Sequence, residues 1–92
     1  MRGKVLLGNI ALTVCLLAGI AARAQEAALD AAATAFEQGK TALAEQQVRA
    51  VLDRHANDLR ALILMGAILD SEQRYADAAP YYERALRSAR QP

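Results

Sequence analysis

The chain has few residues that could stabilise it through covalent cross-links or aromatic packing: one cysteine, no tryptophan and 4% aromatic residues among 92. A single cysteine excludes a disulfide framework. Two prolines and five glycines exclude a collagen-like or low-complexity chain, and the 23% of charged residues excludes a wholly membrane-embedded one. What remains is 54% hydrophobic and rich in alanine, which favours helices over strands. The length allows one small domain.

Residues 1–24 have the three-part layout of a secretory signal peptide. Arg2 and Lys4 precede an uncharged run over residues 5–22, and Ala22 and Ala24 form a small-x-small cleavage site. We therefore expect cleavage after Ala24 and export to the periplasm or an equivalent space. The alternative is an uncleaved membrane anchor, because this run of 18 uncharged residues is just long enough to span a bilayer.

Cleavage would change the charge balance of the protein. The segment carries three of the eleven Lys and Arg residues and no acidic residue, so the net charge would fall from +1 to −2. The basic footprint of a nucleic-acid-binding protein is therefore not expected. The remaining residues 25–92 would contain no cysteine, which suits an oxidising compartment.

Residues 25–92 are predicted to form four helices. The first covers residues 25–38 and stops at Gly39; the second follows Thr41, a candidate N-cap, and ends near Arg54. The third covers residues 59–71, with Asn57 or Asp58 as its cap, and the fourth covers residues 75–90. Short connections force neighbouring helices to pack antiparallel. The expected fold is all-α, with one hairpin in residues 25–58 and a second in residues 59–92.

The two hairpins align with each other at a sequence offset of 34 residues, which pairs Leu52 with Leu86. At this offset the helix breaks align and five pairs of residues are identical, of which Leu52 with Leu86 is the pair that is not alanine. Self-similarity at a fixed period is typical of repeat proteins.

The second hairpin spaces large and small residues in a regular pattern, which is carried by Leu62, Met65, Gly66, Leu69, Tyr75, Ala78, Tyr82 and Ala85. In this pattern it resembles the tetratricopeptide repeat, a 34-residue helix-turn-helix unit. Residues 25–58 resemble the repeat more loosely, with alanines in place of large residues in the first helix. Gly66 costs its helix about 1 kcal/mol relative to alanine, so we expect a close approach there, with Ala78 opposite. Leu86 is expected to help fill the wider gaps and Tyr81 to face solvent.

The resemblance implies a non-catalytic module that binds a peptide or partner protein on the concave surface formed by the first helix of each unit. That surface would be mostly apolar and would suit an extended tail or helix with apolar anchors, with Glu37, Arg60 and Asp70 at its rim. The alternative is that Ile63 and Leu64, which lie in a continuous apolar run, are core residues. The predicted groove consists of Leu29, Ala33, Phe36, Glu37, Arg60, Ile63, Leu64, Ala67 and Asp70.

The contrasting hypothesis is that the protein is an enzyme, but the sequence contains few candidate catalytic residues. His55 is the single histidine, and Ser71 and Ser88 lack a base at a plausible distance. Asp53, His55 and Asp58 lie around one loop, but a lone histidine in such a loop is more typical of a solvated surface. We expect no catalytic, cofactor or metal site. A small alanine-rich core of two repeats instead favours weak self-association or stabilisation by a protein partner, with membrane contact only if the anchor is retained.

Overall fold

A computed structural model describes the backbone of residues 2–91 and the side chains of residues 19–91. Within residues 2–91 the chain forms four helices and no strand, so the all-α prediction is confirmed. The helices are α1 (Arg2–Glu37), α2 (Thr41–Arg54), α3 (Leu59–Ser71) and α4 (Tyr75–Arg90).

Helix α1 continues through the predicted cleavage site after Ala24. Residues 20–31 are rich in alanine and contain neither glycine nor proline, so nothing in them interrupts a helix. Most of the predicted signal segment, residues 1–24, lies outside the residues whose side chains are described, and its cleavage stays a prediction. Helix α1 stops before Gly39, whose φ of 79° is the left-handed conformation that glycine accepts most readily. Among residues 19–91, whose side chains the structure describes, no helix combines the length and the apolar character needed to cross a membrane.

The four helices pack in two pairs. Helix α1 packs against α2, which we call the first helix pair, and α3 packs against α4, the second helix pair. Helix α3 also contacts α1 and α2, whereas α4 contacts α3 alone among the described helices. The short connections at residues 38–40, 55–58 and 72–74 make sequential helices antiparallel. Helix α3 therefore lies at the centre of the packing.

The starts of α2 and α3 are capped differently. The Asp58 carboxylate accepts a hydrogen bond from the backbone N–H of Ala61 at 2.9 Å, so Asp58 is the N-cap of α3. Asp58 also accepts a hydrogen bond from the side-chain amide of Gln25, which ties α1 to the start of α3. The prediction of Thr41 as a cap is wrong: Thr41 is the first helical residue of α2, and the preceding Lys40 makes no side-chain capping bond.

The second helix pair packs a glycine against an aromatic ring. A Cβ atom added to Gly66 would lie 2.6 Å from two ring carbons of Tyr82, which is closer than side chains approach one another. Ala78 is buried as well, but the atoms nearest to Gly66 belong to Tyr82. The close approach expected at Gly66 is therefore made by the ring of Tyr82. The other buried residues that carry the resemblance are Leu62, Met65, Leu69 and Ala85.

Three side chains on α4 differ from expectation. Tyr75 is 62% exposed and so does not take part in the packing predicted for it, because it is the first residue of α4, at the end of the helix pair. Leu86 is 59% exposed, because α4 contacts α3 alone among the described helices and its other side is not covered by any of them. Tyr81, predicted to face solvent, is half-buried against the core, with the Arg84 guanidinium 5.8 Å from its ring centre.

Candidate functional site

A shallow groove of about 370 Å³ lies between α1 and α3. Because residues three or four positions apart share a helix face, Ile63 and Ala67 follow Leu59 along one side of α3. Leu59 and Ile63 are exposed, which leaves apolar surface open to solvent in the groove. The lining residues are Ala33 from α1 and Leu59, Arg60, Ile63, Leu64 and Ala67 from α3.

The lining includes five of the nine residues predicted for the concave surface: Ala33, Arg60, Ile63, Leu64 and Ala67. Sequence reasoning missed Leu59, although its position one turn before Ile63 on the same face was a usable signal. Leu64 and Ala67 are half-buried, so the groove has a partly covered floor and an open edge at Ile63.

The other predicted groove residues have different surroundings. Leu29 is 2% exposed and belongs to the core, because α1 is covered there by α2 and α3. Phe36 is half-buried and packs against the same core. Glu37 is exposed but lies outside the groove lining. The Asp70 carboxylate accepts a hydrogen bond from the Tyr82 hydroxyl at 3.0 Å, so it is engaged within the second helix pair.

The charge of Arg60 is balanced inside the protein. Its guanidinium donates to the Asp30 carboxylate at 2.5 Å and so links α3 to α1 at the edge of the groove. Both side chains are half or more exposed, so the ion pair contributes about 0–1 kcal/mol to stability. Its main effect is on recognition. Arg60, the charged residue in the groove lining, is already paired with Asp30 and therefore offers a ligand little unbalanced charge.

The Tyr82 hydroxyl lies at the junction of α3 and α4. Desolvation raises the pKa of Tyr82 above its ordinary value, and the hydrogen bond to Asp70 and the charge of that carboxylate raise it further. The neutral hydroxyl is therefore the favoured form in the folded protein. It acts as a structural hydrogen-bond donor.

Two further cavities border α1. One of about 450 Å³ lies between α1 and α2, where the buried side-chain oxygen of Gln47 has no hydrogen-bond partner. Ala21 and Ala24 form part of its wall and would be lost on cleavage after Ala24. The other, of about 510 Å³, is lined by residues of α1 together with Asp58 and Arg60.

The loop around His55 does not assemble the metal ligands that its sequence could suggest. Asp58 is occupied as the cap of α3, while Asp53 and His55 are exposed. Among the side chains that the structure describes, no group of three or more His, Cys, Asp or Glu residues could hold a metal ion.

No protein-family model matches the chain, and no curated protein or solved structure matches it. The groove and the packing of the helices are therefore the features that bear on function.

Proposed function

We propose that this chain is an exported, non-catalytic interaction module of the tetratricopeptide-repeat type, which binds an apolar segment of a peptide or partner protein in the groove between α1 and α3. The observation that carries the proposal is the 47% exposure of Ile63 inside a groove whose lining is apolar apart from Arg60. Solvent-exposed apolar surface of this kind is typical of a binding site.

The register of the helices supports the repeat assignment. Helix α1 ends at Glu37 and α3 ends at Ser71. Helix α2 begins at Thr41 and α4 begins at Tyr75, which gives the same spacing. This spacing equals the period of the tetratricopeptide repeat, in which the first helices of successive units form the binding surface.

The charges around the groove indicate how a ligand would be recognised. Arg60 is paired with Asp30, and Asp70 accepts a bond from Tyr82. A ligand would gain little from a charged side chain placed against these groups, because each is already satisfied. Affinity would come from apolar side chains that cover Leu59, Ile63 and Leu64, and binding would change little with salt concentration.

A membrane-anchored assembly subunit is the second candidate. Its support is the unbroken course of α1 from Arg2 to Glu37, which would connect a retained anchor rigidly to the first helix pair. Mass spectrometry of the exported protein separates the two candidates. An N-terminus at Gln25 supports the soluble module, whereas retention of residues 1–24 supports the anchored subunit.

The groove can be tested by site-specific photo-cross-linking in cells. A photoreactive amino acid at Ala67 should capture a discrete partner in the exported fraction, and the same amino acid at the exposed residue Leu43 on α2 should not. Adding Leu59→Glu should remove the cross-link, because it places a charge among the apolar lining residues. Glutamate is well tolerated at this first helical position, so the variant should stay folded.

Capture that is equal from Ala67 and Leu43, or that persists with Leu59→Glu and with Ile63→Glu in folded protein, would show that the groove is not the binding site. Circular dichroism checks that each variant is folded.

A further inference from the structure

Two large apolar residues that are covered in the first helix pair have exposed equivalents in the second. Leu29 is 2% exposed, whereas Ile63, at the equivalent position of the second pair, is 47% exposed. Leu52 packs against the core, whereas its equivalent Leu86 is 59% exposed. The second helix pair packs against the first through α3, so it covers the side of the first pair on which Leu29 and Leu52 lie. No described helix covers the corresponding side of the second pair.

The opposite end of the protein shows the complementary pattern. On α3, Ala61 and Ile68 are fully buried. Their equivalents on α1, Ala27 and Thr34, are exposed, because no described helix precedes α1 as the first helix pair precedes α3. The side of α1 left uncovered is built of small residues, onto which a neighbouring helix can pack closely.

Charged residues also lie next to the two uncovered sides. Glu26 lies at the start of α1, whereas Asp30 is paired with Arg60 on the side that faces α3. In the last two turns of α4, Arg87 and Arg90 are exposed, whereas Arg84 donates a hydrogen bond to the backbone carbonyl of Ala56 within the chain. Inside the chain, the loop at residues 55–58 brings the end of α2 to the start of α3. The equivalent arrangement between two copies brings the end of α4, with Arg87, to the start of α1, with Glu26.

We propose that copies of this chain stack head to tail, with the second helix pair of one copy covering α1 of the next. The tail surface consists of Ile63, Leu86, Arg87 and Arg90, and the head surface consists of Ala27, Ala31 and Thr34, with Glu26 at its edge. The interface repeats the internal contact between the two helix pairs. It joins two different surfaces, so it does not close on itself as a two-fold dimer does. The inference rests on the proposed repeat arrangement, and because Ile63 belongs to both surfaces, a stacked copy and a groove ligand would compete for that residue.

The test blocks one surface at a time in the full chain, purified as the cell delivers it. Leu86→Glu places a charge on the tail surface and Ala27→Glu places one on the head surface; both positions are exposed, so both variants should fold. In sedimentation velocity the wild type should show a mass that rises with concentration. Each variant should weaken self-association by about tenfold or more, because an apolar contact becomes a desolvated charge.

The decisive sample is an equimolar mixture of the two variants. Leu86→Glu retains an intact head and Ala27→Glu an intact tail, so the mixture should form a dimer of one copy of each and stop there. Leu43→Glu, on an exposed part of α2 outside both surfaces, is the matched control and should associate like the wild type.

Three results would overturn head-to-tail stacking: a wild type that stays monomeric at every concentration, an Ala27→Glu variant that associates normally, or a mixture that does not form the mixed dimer. Partner binding in the groove is tested separately from self-association. Leu59→Glu should abolish partner capture and leave self-association intact, Leu86→Glu should do the reverse, and Ile63→Glu should weaken both, since Ile63 lies in the groove and on the tail surface.

Discussion

The two helix pairs solve the same packing problem with different side chains. At one pair of equivalent positions the first helix pair has Ala32 and Val48, both fully buried, and the second has the buried Gly66 and the half-buried Tyr82. The glycine leaves the space that the tyrosine ring occupies. In the second pair, the small residue on one helix therefore makes room for the large residue on the other.

The pairs also differ in where large side chains are buried. Among the described residues, the largest fully buried side chains are Leu62, Met65, Ile68 and Leu69 on α3, with Val48 on α2. At the position equivalent to Leu62, the first pair has the half-buried Ala28. Stability is therefore concentrated around α3, the helix that contacts all the others.

The largest effect is expected when Leu62 of the second pair is replaced by alanine, the residue at the equivalent position of the first pair. Leu62→Ala should lower the free energy of unfolding by about 2–5 kcal/mol, because it leaves a cavity in fully buried surroundings. Leu43→Ala, at an exposed position on α2, should change it by less than about 0.5 kcal/mol. Urea unfolding followed by circular dichroism measures both. Equal effects at the two positions would mean that α3 is not the centre of the core.

A smaller effect is expected at the contact between glycine and tyrosine. Gly66→Ala should destabilise the protein by about 1–3 kcal/mol, because the clash with the Tyr82 ring outweighs the better helix propensity of alanine. The double variant Gly66→Ala with Tyr82→Val recreates the residues of the first pair. It should be more stable than the sum of the two single changes predicts, which a double-mutant cycle measures. Additive effects would show that the two positions do not share one volume.

The helix ends could be predicted because their signals are local. Gly39 stops α1 and Asp58 caps α3. The exposure of Leu86 could not be predicted in the same way. Its periodicity is that of a packing residue, and its exposure depends on whether another helix follows, which no local pattern reveals.

The polar contacts of the candidate site could not be predicted from local sequence patterns either. Arg60 pairs with Asp30 and Tyr82 with Asp70, across separations of 30 and 12 residues. Both acids were visible in the sequence, but their partners depend on how the helices pack. Asp70 was expected at the rim of the groove and instead binds the Tyr82 hydroxyl. Valine, at the equivalent position in the first pair, has no such group.

The smallest effect is expected from removing the Tyr82 hydroxyl, which the first pair lacks. Tyr82→Phe keeps the ring against Gly66 and removes only the hydrogen bond to Asp70, so below about pH 10 it should cost about 1 kcal/mol. The pKa of Tyr82 is raised in the folded protein, so folded Tyr82 keeps its proton at a pH where unfolded Tyr82 has lost it. The stability that the hydroxyl contributes is then fully present below the unfolded pKa and is lost as the pH rises through the folded one. Urea unfolding at intervals from pH 7 to pH 11 should show the advantage of the wild type over Tyr82→Phe shrinking above about pH 10, whereas Tyr75→Phe, at an exposed position, should follow the wild type throughout. A difference that stayed constant across this range would mean that the hydroxyl does not couple α4 to Asp70, and the second pair would then differ from the first in volume alone.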